Sequence, residues 1–527
     1  MSQTEIVDDI VRNTPGAGTM RFALFTFLAF LTITAPALTR YSVAQRPNVI
    51  LINADDLGIG MLGCYGQKQI ETPNIDKLAA EGMRFTNYYG GVFCAPSRWT
   101  LLTGLHDGRR GGWSHTNGGL LKKMDREQIP EPQYTESLNE YVATKSAPIP
   151  TEEIFLAQLA QQAGYRTAQF GKLDVGFLTN HDRLTRFGWD HYLGYFSHTR
   201  AHGFYPPYLW RNGTKLNLKG NSDIDCGKGS EKGDAKVGAG GETYSQNVFI
   251  KEILSFLREQ KDKPFFLYHP TQLPHGPVAI PELHPDFADK DWTLAEKKYA
   301  SMVKMLDDHV GLIMAELKTL GLDEKTVVAF TADNGHELYY GPKPSFPKTL
   351  PGRGEANLTD KKWRTSECGD IFDGAGGRAG LKRSAYQGGM QCPLIVRWPG
   401  KIGEGTQTDH LSAHYDFMAT LAELINVPLP KGKDSLSYLP TLLAQPQKQK
   451  HDFVIVNNRF NRMGRAALIS NDGWKLVELD RKKDQFQLYH LGEDNNEQYD
   501  VAEKHPKRVE DLKAIMLREL GSARPDR

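Results

Sequence analysis

The sequence predicts an α/β protein with a large, mostly parallel sheet sandwiched by helices, followed by a smaller C-terminal antiparallel sheet with one helix. Apolar strand-like runs alternate with amphipathic helical segments over most of the chain, as in parallel sheets with right-handed crossovers. Beyond about residue 430, short strand-like runs follow one another directly. The 527 residues also suit one large domain and one small domain.

The first part of the chain contains an apolar segment that predicts export. Residues 20–38 have a basic head, are short for the roughly 20 apolar residues of a membrane span, and precede a small-residue cleavage pattern at 42–44. We expect residues 1–45 to be an N-terminal extension with a signal peptide, and translation to begin at Met20. The product would be periplasmic or secreted without a stable membrane span; a retained anchor is the alternative.

The elements after this segment follow in a regular order. "PNVILINADDLG", beginning at Pro47, is a continuous apolar run typical of a strand buried on both faces. "TPNIDKLAAEGMRFTNYY" and "TEEIFLAQLAQQAGYRTAQFGK" each predict a helix followed by a strand. "NVFIKEILSFLREQKDKPFFLYH" and "YASMVKMLDDHVGLIMAELKTLGLDEKTVVAFTADNG" repeat that order. These segments build the predicted α/β domain over residues 46–430.

The remaining segments predict loops and a second domain. Residues 105–150 and 341–380 are rich in Gly, Pro and polar residues, which predicts long loops over one edge of the sheet. The strand-like runs "FVIVNN", "AALIS", "WKLVEL" and "FQLYHL" precede the helical "HPKRVEDLKAIMLREL". They predict a small α+β domain over residues 431–527.

Composition narrows the classes of function. Charged residues make up 24% of the chain, and the formal net charge is +1 without a long basic block, so we expect no nucleic-acid partner. There is no C-x-x-C pair, which argues against a cysteine-based zinc site. The cysteines are Cys64, Cys94, Cys226, Cys368 and Cys392. Their odd number leaves one of them unpaired in any disulfide pattern.

Polar residues that follow the apolar runs form a candidate site. They are Asp55, Asp56, Lys172, His275, Asp333 and Asn334. Because the carboxyl ends of parallel strands meet at one edge of a sheet, these side chains should converge there. Each pair alone also fits an ordinary turn. The four carboxylate and amide donors together suit Ca²⁺ or Mg²⁺ rather than zinc, and Lys172 and His275 are interpreted as cations facing the metal.

"CAPSRWTLLTG" places Cys94 and Arg98 at the start of an apolar run that predicts a buried helix. A helix N-terminus attracts anions and stabilises a thiolate, and Arg98 lies one turn further on, where a guanidinium binds an oxyanion in bidentate fashion. A buried structural cysteine that opens a core helix explains the same eleven residues equally well.

Taken together, these segments resemble the type I sulfatases of the alkaline phosphatase-like superfamily, from about residue 47 to the C-terminal helix. "CAPSRWTLLTG" is similar to the family pattern C-x-P-S-R-x-x-x-L-T-G, in which the cysteine is converted to formylglycine. "FTADNG", "GGMQCPLIVRWPG" and "LYHLGEDNNEQYDVAEKHP" add to the resemblance. It implies a large mixed, mostly parallel sheet and hydrolysis of a sulfate ester.

The resemblance also implies roles for individual residues. One Ca²⁺ ion would be held by an oxygen of modified Cys94 and by Asp55, Asp56, Asp333 and Asn334. The implied catalytic residues are Cys94, Arg98, Lys172, Asp174, His275 and Lys382, the last in "GLKR". One hydroxyl of the hydrated aldehyde would attack sulfur while His275 or a lysine protonates the leaving alcohol. A formylglycine-generating or equivalent enzyme and a sulfate ester, such as a sulfated carbohydrate, are the implied partners.

Two departures from the family patterns stand out. The family has a histidine two residues after the lysine, in G-K-W-H, whereas this chain reads "GKLDVG" with Asp174 there. That position is expected to take the second proton of the hydrate. The family pattern E-G-G-x-R appears as "QGGMQ" with Gln387 and Gln391, which we interpret as structural or related to substrate.

Alternative functions stay open at the level of the sequence. A phosphodiesterase or phosphonate monoester hydrolase of the same superfamily has a similar pattern, and Asp174 is compatible with an inactive glycan-binding relative. The stretch 191–213 is crowded with aromatic and cationic residues. It fits either a platform for a sulfated sugar or loops packed on the sheet.

Asp174 is a testable departure. We expect Asp174→Asn to lower turnover strongly and to accumulate a sulfated enzyme, because the second hydroxyl then lacks a base. Asp174→His should restore part of the rate and move the acidic limb upward, since unperturbed Asp titrates near ~3.9 and His near ~6.5. Trapping and mass analysis of Asp174→Asn checks for the adduct. Near-normal turnover of that variant would show that another residue is the base.

Overall fold

A mixed sheet of ten strands forms the centre of the fold. The computed structural model describes residues 46–108, 119–145, 149–172, 177–231, 233–340, 364–458 and 464–521. In these residues the strands are β1 (Asn48–Ala54), β2 (Met83–Phe85), β3 (Tyr88–Tyr89), β4 (Arg166–Gly171), β5 (His191–Gly194), β6 (Tyr208–Arg211), β7 (Thr214–Asn217), β8 (Phe265–Pro270), β9 (Thr326–Ala332), β10 (Leu394–Arg397), β11 (Thr406–Thr408), β12 (Ser412–Ala413), β13 (Phe453–Asn457), β14 (Ala466–Ser470), β15 (Trp474–Asp480) and β16 (Gln485–His490).

Helices of the described residues cover the sheet and connect its strands. They are α1 (Pro73–Ala80), α2 (Cys94–Thr103), α3 (Leu120–Arg126), α4 (Gln133–Lys145), α5 (Leu156–Gln162), α6 (His181–Arg186), α7 (Ser245–Glu259), α8 (Pro285–Ala288), α9 (Leu294–Thr319), α10 (Gln387–Met390), α11 (Asp416–Leu424), α12 (Leu439–Leu442) and α13 (Pro506–Leu520). None of these helices is long and apolar enough to cross a membrane.

The order of strands in the large sheet is β11-β2-β10-β9-β1-β8-β4-β5-β6-β7. The five neighbours from β9 to β5 are parallel, whereas β10 runs antiparallel to β9 and to β2, and β6 runs antiparallel to β5 and to β7. A second sheet holds β13, β14, β15 and β16 in antiparallel order. The predicted fold class is confirmed; the boundary near residue 430 stays a prediction.

The central strands form where they do because their side chains are apolar on both faces. Every residue of β1 and of β9 is buried. In register, Ile52 of β1 lies between His269 of β8 and Phe330 of β9. Burial on both faces is typical of a parallel strand with helices above and below. This arrangement brings the carboxyl ends of β9, β1, β8 and β4 side by side at one edge.

Residues 105–150 do not form a simple loop, contrary to the prediction. Two helices, α3 and α4, lie in this region. Leu121 and Met124 on α3, and Tyr134, Leu138 and Val142 on α4, are buried at spacings of three and four residues. The polar residues between them dilute the apolar pattern, which is why composition alone predicted a loop. Most of the second predicted loop, residues 341–363, lies outside the described residues.

Candidate active site

Two turns at the carboxyl ends of β1 and β9 carry the acidic centre of the site. Asp55 and Asp56 follow β1, Asp333 and Asn334 follow β9, and all four are 0% exposed. The backbone N–H of Asp56 donates to Asp333 Oδ1 at 3.1 Å, and Asn334 Nδ2 donates to Asp56 Oδ1 at 2.8 Å. Asp56 has a φ of 60°, in the left-handed region, which turns its side chain out of the strand alternation.

Helix α2 places Cys94 directly beside these carboxylates. Cys94 is its first residue, and all ten residues of the helix are buried. The Cys94 Sγ–H donates to Asp55 Oδ1 at 3.3 Å and lies 3.8 Å from Asp56 Oδ1. Arg98, one turn later, donates from Nε and Nη2 to Asp333 Oδ2 at 3.2 and 2.9 Å. The helix therefore supplies both the sulfur atom and one cation to the site.

Lys172 and Lys382 supply two further cations from separate loops. Lys172 follows β4, and its Nζ donates to Asp55 Oδ2 at 2.5 Å. The residue before it, Gly171, sets the path of the backbone into Lys172. Gly171 has a φ of 135°, and a Cβ there would lie 2.2 Å from the carbonyl oxygen of Pro270. Lys382 Nζ donates to Asp56 Oδ2 at 2.6 Å. Three carboxylates therefore face three cations in a buried cluster.

His275 completes the group that the sequence placed together. It follows β8, and its Nε2 lies 3.3 Å from Asp56 Oδ2 and 3.3 Å from Lys382 Nζ. Burial, with Lys382 and Lys172 close by, lowers the pKa of His275 well below its ordinary value. The imidazole is therefore neutral, and the prediction of a cation at this position was wrong.

Burial dominates the charge states around Cys94. It raises the pKa of Asp55 to about 7, against the opposing effect of Lys172. Burial also raises the pKa of Asp56, but Lys382, Lys172 and Tyr339 outweigh it and the net shift is downward. Burial and the charge of Asp55 raise the pKa of Cys94. Of the two interpretations that the motif left open, the raised pKa favours a buried thiol over a thiolate, because burial and Asp55 outweigh the helix N-terminus.

The oxygen donors of this cluster fit a hard divalent cation. Asn334 Oδ1 is buried and has no hydrogen-bond partner among the described residues, although its Nδ2 donates to Asp56. A buried carbonyl oxygen left without a donor beside three carboxylates is what a bound cation would satisfy. Asp55, Asp56, Cys94 and His275 also present ligand atoms within 4.8 Å of one another.

Several residues at the site were not found from the sequence. The Tyr339 hydroxyl donates to Asp56 Oδ2. Ser97 Oγ donates to the backbone carbonyl of Asp333 and contacts His414 Nδ1 at 2.8 Å. His414 is 317 residues away from Ser97 along the chain. Contacts between residues so far apart leave no local pattern in the sequence, so the sequence alone did not indicate them.

A series of rings extends from the site through the stretch 191–213. Phe177, His198, His202, His275 and Tyr339 follow one another with ring centroids 4.6, 4.9, 4.4 and 5.1 Å apart. The Nε2 atom of His202 is buried without a hydrogen-bond partner among the described residues. We call these five rings the ring wall.

Other aromatic residues of the same stretch pack in the core. Phe196 and Trp210 are stacked with ring centroids 4.3 Å apart, and both are buried. The stretch 191–213 therefore divides between the two interpretations that its sequence allowed. Asp174, the remaining predicted residue, lies outside the described residues.

Two family models and several known proteins are similar to this chain. The sulfatase family model matches residues 47–427, and the model of the C-terminal region of N-sulphoglucosamine sulphohydrolase matches residues 379–525. N-acetylgalactosamine-6-sulfatase of Rattus norvegicus is 30% identical over 78% of this chain and 68% of its own length. N-acetylgalactosamine-6-O-sulfatase of Bacteroides thetaiotaomicron is 28% identical over 90% of this chain and 93% of its own length.

Solved structures share the fold. One, from work on glycosaminoglycan metabolism by Bacteroides thetaiotaomicron, has a TM-score of 0.66 at 25% identity and covers 90% of this chain and 99% of its own. Another, solved with D-glucosamine-2-N,6-O-disulfate, has a TM-score of 0.62 at 18% identity over 91% of this chain and 99% of its own. The second likeness concerns the fold alone.

The buried pair of Arg98 and Asp333 predicts a large loss of stability on mutation. We expect Arg98→Met to lower the free energy of unfolding by about 3–5 kcal/mol, because Asp333 would be left buried without its cation. Arg258 pairs with Glu316 on the surface, where its side chain is 60% exposed. Arg258→Met is the control and should cost less than about 1 kcal/mol. Urea unfolding of both variants measures these free energies. Equal losses in the two variants would contradict the expected role of the buried pair.

Proposed function

The chain belongs to the sulfatase family and is a sulfuric ester hydrolase, and on that basis we propose that it cleaves sulfated carbohydrates at Cys94, converted to formylglycine, with one bound Ca²⁺. The observation that carries this proposal is the buried cluster around Cys94. It holds a modifiable sulfur, three carboxylates and three cations within contact of one another. An anionic ester brought to Cys94 would meet Lys172, Lys382 and Arg98 together.

Cys94 is the proposed site of modification. Formylglycine would supply a geminal diol at this position: one hydroxyl oxygen would displace the alcohol from sulfur, and loss of the proton from the second hydroxyl would release sulfate and restore the aldehyde. Asp55 Oδ1 already accepts a hydrogen bond from the Cys94 sulfur, so it is the carboxylate best placed to hold a proton at this position. Arg98 holds Asp333 in place through Nε and Nη2, and its Nη2 also lies 3.7 Å from Asp55 Oδ1.

Asp55, Asp56, Asp333 and Asn334 are the proposed metal ligands, together with an oxygen of the modified Cys94. When bound, Ca²⁺ supplies positive charge that polarises the sulfate oxygens. The buried, unpartnered Oδ1 of Asn334 supports this assignment. Oxygen donors without a cysteine cluster favour calcium or magnesium over zinc, and the family favours calcium.

Lys172, Lys382 and His275 are the proposed contacts to the sulfate and the leaving group. Lys172 and Lys382 are paired with Asp55 and Asp56. Burial lowers the pKa of Lys382, but Asp56 outweighs this effect and the net shift is upward. His275 is neutral, with Nδ1 against the carbonyl of Gly276 and Nε2 toward Lys382. Its Nε2 is within reach of Lys382, a proton donor, and can relay a proton to the leaving oxygen.

The proposed substrate class rests on the relatives and on the ring wall. The relatives from Rattus norvegicus and Bacteroides thetaiotaomicron are named for the 6-sulfate of N-acetylgalactosamine. The ring wall reaches His275 from the stretch 191–213, and a surface of aromatic rings with a few polar atoms is typical of small-molecule sites. His202 Nε2 supplies an unpartnered polar atom on this wall.

Export and maturation complete the proposal. The apolar segment 20–38 followed by small residues supports a signal peptide and a periplasmic or secreted enzyme. A maturation enzyme that converts Cys94 is required as a partner. Cys64, Cys94, Cys226 and Cys392 carry free thiols in the structure, so Cys94 is not consumed by a disulfide.

Cys94 gives the direct test of activity. Protein produced with a maturation enzyme should show formylglycine at Cys94 by peptide mass spectrometry and hydrolyse N-acetylgalactosamine 6-sulfate and 4-nitrophenyl sulfate, but not 4-nitrophenyl phosphate. Cys94→Ala should lose turnover and keep its melting temperature. Cys226→Ala removes an equally buried thiol and should stay active. Full activity with unmodified Cys94, or preference for the phosphate, would overturn the proposal.

The metal is tested separately. Chelation should suppress turnover, and added calcium should restore it. Asn334→Ala should weaken calcium binding, measured by calorimetry, because one oxygen ligand is removed. Elemental analysis of the active enzyme should find calcium. Stoichiometric zinc that calcium cannot replace would refute the assignment.

A further inference from the structure

The short helix α10 lies directly behind the metal-ligand turn that follows β9. The N–H of Gly335 donates to the carbonyl of Gly389 at 3.0 Å, and the N–H of His336 donates to the carbonyl of Gly388 at 3.1 Å. The N–H of Lys382 donates to the carbonyl of His336 at 2.7 Å. The positions of the turn and of Lys382 therefore depend on where α10 lies.

There is no free space between α10 and this turn. A Cβ at Gly335 would lie 2.1 Å from the carbonyl oxygen of Gly388. A Cβ at Gly388 would in turn lie 2.3 Å from the carbonyl oxygen of Gly380. Backbone packed this closely transmits a displacement instead of absorbing it. A shift of α10 is thus a shift of Asp333 and Asn334.

Lys475 of the C-terminal sheet and Glu497 of the loop after β16 hold the first residue of α10. Lys475 of β15 pairs with Glu497 at 2.5 Å, and both side chains are 0% exposed. Glu497 Oε2 accepts from the backbone N–H of Gln387 at 2.7 Å, and Lys475 Nζ donates to Gln387 Oε1 at 3.4 Å. The buried ion pair is thus hydrogen-bonded to both the backbone and the side chain of Gln387.

The remaining polar atoms of Gln387 are also used. Its Nε2 donates to the hydroxyl of Tyr89 at 3.2 Å and to Asn495 Oδ1 at 3.2 Å. Next to it, the hydroxyl of Tyr386 donates to Gln487 Oε1 at 2.6 Å. The side-chain amide of Gln387 therefore has one orientation that satisfies all its partners.

From these contacts we infer that the Lys475–Glu497 ion pair positions the metal-ligand turn through Gln387 and the carbonyls of Gly388 and Gly389. Glu497 and Lys475 are positioning residues, because neither touches Asp333 or Asn334. The inference rests on the proposed function only in taking that turn as the calcium-binding one. It gives β15 and the loop after β16 a role in fixing the position of the metal-ligand turn as well as in packing.

The pattern at residue 387 suggests a test by charge exchange. The sulfatase pattern has glutamate here, and this chain has glutamine next to the buried Glu497. Moving the carboxylate from position 497 to position 387 keeps one acid beside Lys475. The double variant Gln387→Glu/Glu497→Gln therefore preserves the charge that either single change disturbs.

Two readouts on the mature chain test the inference. Calcium affinity by calorimetry should fall roughly tenfold in Glu497→Gln, as for supporting residues behind metal ligands. Hydrogen exchange at the peptide containing Gly335 and His336 should be faster, while the β4 peptide is unchanged. Gln387→Glu should act in the same direction, because two carboxylates then share Lys475. The double variant should recover part of the affinity and the protection, because one carboxylate again faces Lys475 and both the Tyr89 hydroxyl and the Asn495 amide can turn to donate to the carboxylate at position 387.

Asp323→Asn is the matched control. Asp323 pairs with Arg397, which is 4% exposed, and precedes β9 at the edge of the sheet opposite to the site. This change should lower the melting temperature without altering calcium affinity or exchange at Gly335.

The possible outcomes of these measurements test the inference and the proposed metal centre separately. A folded Glu497→Gln chain with normal calcium affinity and normal exchange at Gly335 and His336 would overturn the inference while leaving the proposed function intact. A double variant no better than Glu497→Gln would also overturn it, even if the single variant fails to fold. Should the wild-type chain bind no calcium, the proposed metal centre fails, and the exchange measurements alone decide whether Glu497 positions the turn.

Discussion

Burial of three carboxylates at the carboxyl ends of β1 and β9 is the constraint on which the site depends. An isolated ion inside a protein costs several kcal/mol even after relaxation, so Asp55, Asp56 and Asp333 each need a partner. Arg98 and Lys172 pair with Asp333 and Asp55, and a third cation comes from the loop before α10. Helix α2 and two distant loops are consequently fixed by the same demand for charge balance.

The sequence predicted the parts of the site that are local. Apolar runs ending in Asp55 or Asp333 show both the buried strand and the polar residue at its end, so their convergence followed from the parallel topology. Lys382 has no such signal, because it lies in a loop without periodicity, and it came only from family resemblance. Tyr339 and His414 depend on contacts across the whole chain, for which one sequence carries no pattern.

The errors of prediction have physical causes as well. At Cys94 the sequence left a stabilised thiolate and a buried structural cysteine equally open, and the effect of the helix N-terminus is modest beside full burial and a neighbouring carboxylate. A cation at His275 failed for the same reason, since two ammonium groups lie close to a buried imidazole. In both cases the tertiary surroundings, which the sequence does not show, decide the protonation state.

The burial of Cys94 has a consequence for the proposed conversion to formylglycine. Its side chain is 2% exposed and stands in a helix whose residues are all buried, with the sulfur directed at Asp55. A maturation enzyme of the kind proposed would have to reach this sulfur before α2 packs, because every residue of the folded helix is buried. Conversion and folding would then compete, and a chain that folds first would keep Cys94 as a buried thiol.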